Sequence, residues 1–203
     1  MKRLHNAILS GIMVSFVLCF AATNAQELKP IKLPAPQMEG GKPLMQALKE
    51  RKTSREFSPR ELEPQLLSNL LWAAWGINRP DSGRRTAPSA SNRQEIEIYV
   101  ALSAGLYLYN AEDHLLQPVL AQDIRALTGT QAFVRDAPVN LVYVADFSKM
   151  GKSYDANKEA IASADTGFIG QNVYLYCASE GLANVVRGLV DKPALEKAMG
   201  LRH

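Results

Sequence analysis

Between residues 64 and 75 the apolar positions Leu66, Leu67, Leu70, Leu71, Ala74 and Trp75 recur three and four apart. That spacing predicts a helix with a wide apolar stripe. Pro64 suits its first turn, and Gly76 is placed to end it. A shorter helix is predicted from Pro43 to about Lys52, with Leu44, Ala47 and Leu48 on one face. Residues 26–42 contain Pro30, Pro34, Pro36, Gly40 and Gly41 and read as an extended linker. After a polar stretch over 77–94 the period changes to two. Ile96, Ile98, Val100 and Leu102 alternate with Glu95, Glu97 and Tyr99, predicting a strand.

Gly105 opens a hairpin partner over 106–109, and 114–116 fits a further short strand. A helix is expected over 119–127 and a short one over 131–135. The continuous apolar run 139–144 reads as a central strand. The longest helical pattern spans 155–180 and stops at Gly181. Along it Ala160, Ala164, Gly167 and Gln171 keep small residues on one face, so that a second helix could approach closely. A short strand over 183–186 and a helix over 193–199, ended by Gly200, complete the chain. Interspersed strands and helices with a hairpin predict an α+β fold with a mainly antiparallel sheet.

The first 25 residues stand apart. Lys2 and Arg3 precede an apolar run from Ala7 to Ala22, followed by Thr23, Asn24 and Ala25. A charged start, a hydrophobic middle and a small-residue exit describe a secretory signal, with cleavage expected after Ala25. The run is shorter than the roughly 20 apolar residues that a spanning helix needs. An uncleaved anchor is the other reading. Residues 43–203 are then one domain in an exported protein of the bacterial periplasm or envelope, with no stable membrane span after cleavage.

Composition narrows the chemistry. Of 203 residues, 47% are hydrophobic and 21% charged, ordinary for a globular chain. Removing Lys2 and Arg3 with the signal leaves 21 basic against 20 acidic residues, a balance unlike that of a nucleic-acid binder. Cys177 is alone once Cys19 leaves, which precludes an internal disulfide in the mature monomer and suggests a small buried hydrophobe. No Cys/His cluster offers a zinc site, and no metal is expected. His114 is the only internal histidine of the mature chain, so His-dependent hydrolysis has no obvious candidate. Chemistry is expected to reside in a bound cofactor.

Three polar clusters remain. Arg51, Lys52, Thr53, Ser54 and Arg55 gather cations and hydroxyls, which suit a phosphate monoester. They equally suit a helix C-terminus. The loop Arg84-Arg85-Thr86-Ala87-Pro88-Ser89-Ala90-Ser91-Asn92-Arg93-Gln94 supplies short hydrogen-bonding side chains, or simply a solvated surface. Gly181 to Gly188 could bring backbone N–H groups close to a planar ligand, or mark a helix stop before a buried strand.

In this order the clusters resemble those of the nitroreductase family of FMN-dependent oxidoreductases. R-K-T-S-R-E-F is similar to its basic-hydroxyl motif and P-S-A-S-N-R-Q to its P-S-[SA]-x-N-x-Q loop. The long helix, with Gln171 and Asn172, and then Gly181-Leu182, resembles its dimer helix and flavin-edge segment. G-R-R-T-A-P-S-A, followed by G-L-Y-L-Y-N and His114-Leu115, is more similar to the SagB-type dehydrogenase branch. The resemblance implies a homodimer with FMN at the interface. Arg51, Lys52 and Thr53 would contact the phosphate and ribityl part, and Arg55 the pyrimidine edge. Pro88, Ser89, Ala90, Asn92 and Gln94 would reach the flavin from the partner subunit. The backbone of Val186, Arg187 and Gly188 would lie near flavin N5. NAD(P)H and an acceptor, or a small organic substrate of the SagB type, would take turns on the open ring face. The family also has a strand after the last helix that carries Lys or Arg for the phosphate; this sequence stops at His203, so either it is truncated or its phosphate binding is weaker and differently arranged. The rival readings are a non-catalytic envelope binding protein of the same fold and an anchored structural protein.

Overall fold

A computed structural model describes residues 27–201, so the signal assigned to residues 1–25 lies outside the described residues. Five strands build one wholly antiparallel sheet in the order β1-β6-β5-β4-β7. The strands are β1 (Ile31–Lys32), β4 (Ile96–Leu102), β5 (Gly105–Asn110), β6 (Leu115–Leu120) and β7 (Asn140–Ala145). A two-stranded ribbon, β2 (Ile77–Arg79) and β3 (Arg84–Arg85), occupies part of the polar stretch before β4. Four helices accompany them: α1 (Leu44–Glu50), α2 (Pro64–Trp75), α3 (Lys158–Glu180) and α4 (Lys192–Met199).

The alternation in β4 divides the core between the two faces of the sheet. Ile96, Ile98 and Val100 point into the larger core with Tyr107, Tyr109 and Leu116, where Leu70, Leu71, Ala74 and Trp75 of α2 and Ile169, Val173 and Cys177 of α3 cover them. Ala101 and Leu106 face the other way, toward Ile124 and toward Leu195 and Met199 of α4. Removing these apolar side chains from water is the main drive for closing the helices onto the sheet. α3 ends as the sequence implies: Gly181 adopts the left-handed conformation (φ 71°), and the Leu182 amide returns to the Cys177 carbonyl at 2.8 Å. Gly200 ends α4 in the same way, and the Asp191 carboxylate caps its start through the Ala194 amide.

Four expectations are corrected. The helix expected over 119–127 is absent. β6 continues to Leu120, paired with β5 through Leu106, and only a 3₁₀ turn, Arg125–Leu127, follows. Pro118 is tolerated in that strand because β1 covers only Leu115 and Leu116, so the sheet edge at Pro118 needs no N–H donor. The strand expected over 183–186 is irregular backbone. The run 139–144 forms β7, which is an edge strand among the described residues rather than a central one, paired with β4 alone. Its apolar character serves two packed faces, a signal that does not distinguish edge from centre.

The last correction concerns the N-terminal stretch. Residues 27–42 are extended, yet they dock on the domain. Leu33 is buried, β1 pairs with β6, and the Pro34 carbonyl accepts the Ser68 hydroxyl at 2.6 Å. Because that hydroxyl donates to Pro34, it accepts from His114 Nε2 at 2.7 Å, and His114 Nδ1 accepts from the Tyr109 hydroxyl at 3.0 Å. Burial lowers the His114 pKa and keeps the ring neutral. His114 thus fastens strands together and is not arranged as a catalytic base.

Candidate functional site

Tyr174, on α3, joins two of the three clusters. Its hydroxyl shares a 3.0 Å hydrogen bond with Thr53 Oγ1 and accepts the Val186 amide at 3.0 Å. The Ser54 amide donates to the Asn184 carbonyl at 2.9 Å, and the Arg51 guanidinium lies 5.2 Å from the Tyr174 ring centroid. Residues 130 apart in sequence are brought to one corner because Lys42, just before α1, bonds to Ala178 and Ser179 near the end of α3 while the segment after α3 folds back onto Tyr174. Lys52 and Arg55 are exposed. Among the described residues, no carboxylate forms an ion pair with Arg51, Lys52 or Arg55. The corner is therefore rich in donors and poor in acceptors.

Beside it opens a cleft of about 850 Å³ between the 57–63 segment, β7, the C-terminal part of α3 and residues 181–190. Its walls include Leu141, Tyr143, Val173 and Cys177, and Phe57 stacks on Phe133 with ring centroids 6.0 Å apart. Val186, Arg187 and Gly188 also line it. Val186 is exposed, but the Arg187 side chain is held. Its guanidinium donates to the Thr128 carbonyl at 3.2 Å and to Asn140 Oδ1 at 2.8 Å. Burial without a carboxylate lowers the Arg187 pKa. The Asn184 side-chain amide nitrogen is buried in the same wall with no acceptor among the described residues. The Cys177 thiol, pushed up to about 12 by burial, is not a nucleophile.

The second cluster sits elsewhere. The 88–94 loop lies against the N-terminal half of α3, where the Ala90 amide donates to Asp165 Oδ2 at 2.9 Å. Asp165 and Tyr174 are nine residues apart, so about 14 Å separates them along the helix axis. Within one chain this loop and the donor corner do not meet. Pro88 and Asn92 are exposed, whereas Ser89 accepts the Gln94 amide at 3.0 Å. The Gln94 side chain is already engaged: it accepts from Arg85 Nε at 2.7 Å and donates to the Gly83 carbonyl and to Asn92 Oδ1, each at 3.0 Å. Arg85 in turn stacks over Trp75 and donates to its carbonyl. Arg93 lies over Tyr154.

Sequence reasoning missed Tyr174, because a tyrosine within a helical pattern reads as one more half-buried aromatic. It missed Glu95 and Asp165 as well. Glu95 falls on the polar phase of the β4 alternation, but the strand starts at Ile96 and the side chain is fully buried.

Comparison with known proteins decides the family. The model of the nitroreductase family matches residues 48–203. The chain belongs to the nitroreductase family. A nitroreductase-type protein of Methanocaldococcus jannaschii, MJ1384, is 30% identical over 155 residues, covering 71% of this chain and 78% of the relative. The crystal structure of a nitroreductase-type protein of Ralstonia eutropha JMP134 superposes with a TM-score of 0.82 at 44% identity, over 86% of this chain and 83% of that one. A Desulfovibrio desulfuricans structure of the same type, in complex with FMN, has a TM-score of 0.56 at 21% identity, over 79% and 78% of the two chains. The α+β fold with its antiparallel sheet is the nitroreductase fold, and α3, the helix expected to face a second copy, is its longest helix.

Proposed function

We propose that this nitroreductase-family protein is an exported, homodimeric FMN-dependent oxidoreductase. The observation that carries the reading is the corner at Tyr174, where the R-K-T-S-R segment and the segment after α3 converge beside an apolar cleft. The residues fit FMN. Arg51, Lys52 and Arg55, which have no ion pair among the described residues, suit a phosphate, and the Asn184 side-chain N–H, without an acceptor among those residues, suits a carbonyl oxygen of a flavin ring. Apolar walls suit a tricyclic ring system and exclude water from its surroundings. When bound, FMN supplies a hydride-accepting centre. Arg51, Lys52 and Thr53 would hold its phosphate and ribityl part, Arg55 would supply positive charge toward the ring, and the backbone of 186–188 would help orient it.

A second copy completes the site. Leu44, Met45 and Leu48 of α1 are exposed, and on α3 Phe168 is exposed together with the small residues Ala160, Ala164 and Gly167. An apolar surface of this kind marks an interface. Across a two-fold axis through it, Pro88, Ser89, Ala90, Asn92 and Gln94 of each copy would approach the other copy's flavin.

NAD(P)H as donor with a nitro or quinone-type acceptor is the leading substrate pair. A SagB-type substrate dehydrogenation is the second reading, supported by the G-R-R-T-A-P-S-A stretch. The Escherichia coli microcin synthetase complex, solved with a truncated microcin precursor, shares the fold with a TM-score of 0.61 at 22% identity. No helix among the described residues is long and apolar enough to cross a membrane, so the anchor question rests on residues 1–25.

The test is an absorbance spectrum of the FMN-reconstituted protein, followed by anaerobic addition of NAD(P)H. A flavin spectrum that bleaches with NAD(P)H and recovers with a quinone supports the leading reading. Bleaching by a small organic substrate but not by NAD(P)H favours the SagB-type reading. Bound flavin that no donor reduces favours a non-catalytic binding protein, and a colourless product defeats the cofactor assignment.

A further inference from the structure

At the other end of α3, two carboxyl groups meet that the cofactor site does not use. Glu95 is 0% exposed, and no N–H or hydroxyl donor reaches either of its side-chain oxygens among the described residues. Asp165, 4% exposed, lies beside it and accepts the Ala90 amide. The charged groups of the surrounding elements are engaged elsewhere. Lys149, after β7, binds Glu97 at 2.9 Å and lies 3.6 Å from Asp146. Asp146 gives its amide to the Glu95 carbonyl and keeps its carboxylate for Ser148 and Lys149. Arg85 is bound by Gln94, Arg93 lies over Tyr154, and Lys158 of α3 lies over Phe147. Among the described residues, no cation forms an ion pair with Glu95 or Asp165.

Two adjacent buried carboxylates cannot both ionise, and a shared proton is the remaining compensation. Burial first, and Asp165 second, raise the Glu95 carboxyl above the usual range. The backbone next to the pair is strained: Ser91, Asn92 and Gln94 have φ of 48°, 55° and 52°, values that non-glycine residues keep only when tied down.

We propose that Glu95 is a neutral carboxylic acid sharing one proton with Asp165, and that this pair positions the 88–94 loop on α3. Loss of the proton adds negative charge to a pair sealed from water and frees the Ala90 end of the loop. That the loop then fails to meet the flavin of a second copy rests on the FMN-dimer reading; the shared proton does not.

The experiment uses the full chain and Glu95→Gln, which keeps the shape and fixes the neutral state. In the wild type, the hydrogen-exchange protection of the Ala90 amide should fall about tenfold as pH rises through the titration of the pair, the scale of one released hydrogen bond. E95Q should keep its protection over the same range. Wild-type protection that does not change with pH, or E95Q falling in step with it, overturns the proposal. Infrared spectra give an independent arm that does not need the variant. A protonated-carboxyl band in the wild type at neutral pH, lost in alkali, is expected, and its absence also overturns the proposal. FMN titration is read separately: no binding at any pH, with the exchange result intact, removes the cofactor reading and leaves the shared proton standing.

Discussion

The two halves of α3 hold opposite charge imbalances, solved in opposite ways. Near Tyr174, the cations Arg51, Lys52 and Arg55 gather beside a cleft, and no carboxylate forms an ion pair with them among the described residues. Near Asp165, two carboxyls are sealed from water, and no cation among the described residues forms an ion pair with them. The first imbalance is open to solvent and can wait for an anionic ligand, since exposed cations cost little. The second is buried, so it must be neutralised within the fold itself, and a proton is the available counter-charge. An exposed mismatch of charge thus points toward a binding partner, whereas a buried one points toward a protonation state.

Reversing the charge at the first pole should produce the largest effect. Arg51→Glu should weaken FMN binding by roughly 100-fold or more, because it removes a charge-assisted hydrogen bond and adds repulsion toward the phosphate. Fluorescence titration measures this, and thermal stability should barely change. An unchanged dissociation constant would move the phosphate away from this corner.

At the second pole, Asp165→Ala strips the acceptor from the half-buried Ala90 amide. It should cost about 1–3 kcal/mol in denaturant unfolding. It should also lower the titration point of Glu95 by removing the neighbouring carboxylate. An unaltered stability would show that the 88–94 loop does not depend on α3.

A smaller change is expected from Tyr174→Phe, which leaves the Val186 amide and Thr53 to water. A loss of about 0.5–1.5 kcal/mol in stability is expected, since both partners lie near the surface. FMN affinity should fall with it if the hydroxyl holds the two cluster segments together.

The mildest contrast is in pH. His114 has a lowered pKa, so its contribution is complete above the ordinary imidazole value and declines as pH falls below it. Glu95 acts in the reverse sense: its folded pKa is raised, so its contribution is present at acid pH and declines as pH rises through the folded value. Melting temperature against pH should therefore fall on both limbs. His114→Asn, which tolerates the left-handed backbone there (φ 48°), should flatten the acid limb alone. E95Q should flatten the other limb alone. A single variant that flattens both would show that the groups are not independent.

The strongly periodic elements were legible without coordinates. α2 matches its stripe from Pro64 to Trp75, α3 stops at Gly181, and β4 with its hairpin partner follows the alternation. In each, a long pattern and a local stop signal agree. Where they did not, the reading failed. The stretch 119–127 has apolar residues at helical spacing, but pairing with β5 holds its first residues in a strand. The stretch 183–186 looks like a strand, but its backbone bonds instead to Ser54 and Tyr174.

The sequence by itself determined the helices, the hairpin and the three polar clusters, because those depend on residue type and on neighbours within a few positions. Only the tertiary structure decided that the first and third clusters share a corner through Tyr174 while the second lies about 14 Å away along the same helix. It alone decided, too, that Glu95 is buried against Asp165. Burial and contact between distant residues follow from how helices close over the sheet, and no local pattern encodes which side chain is left without water or partner.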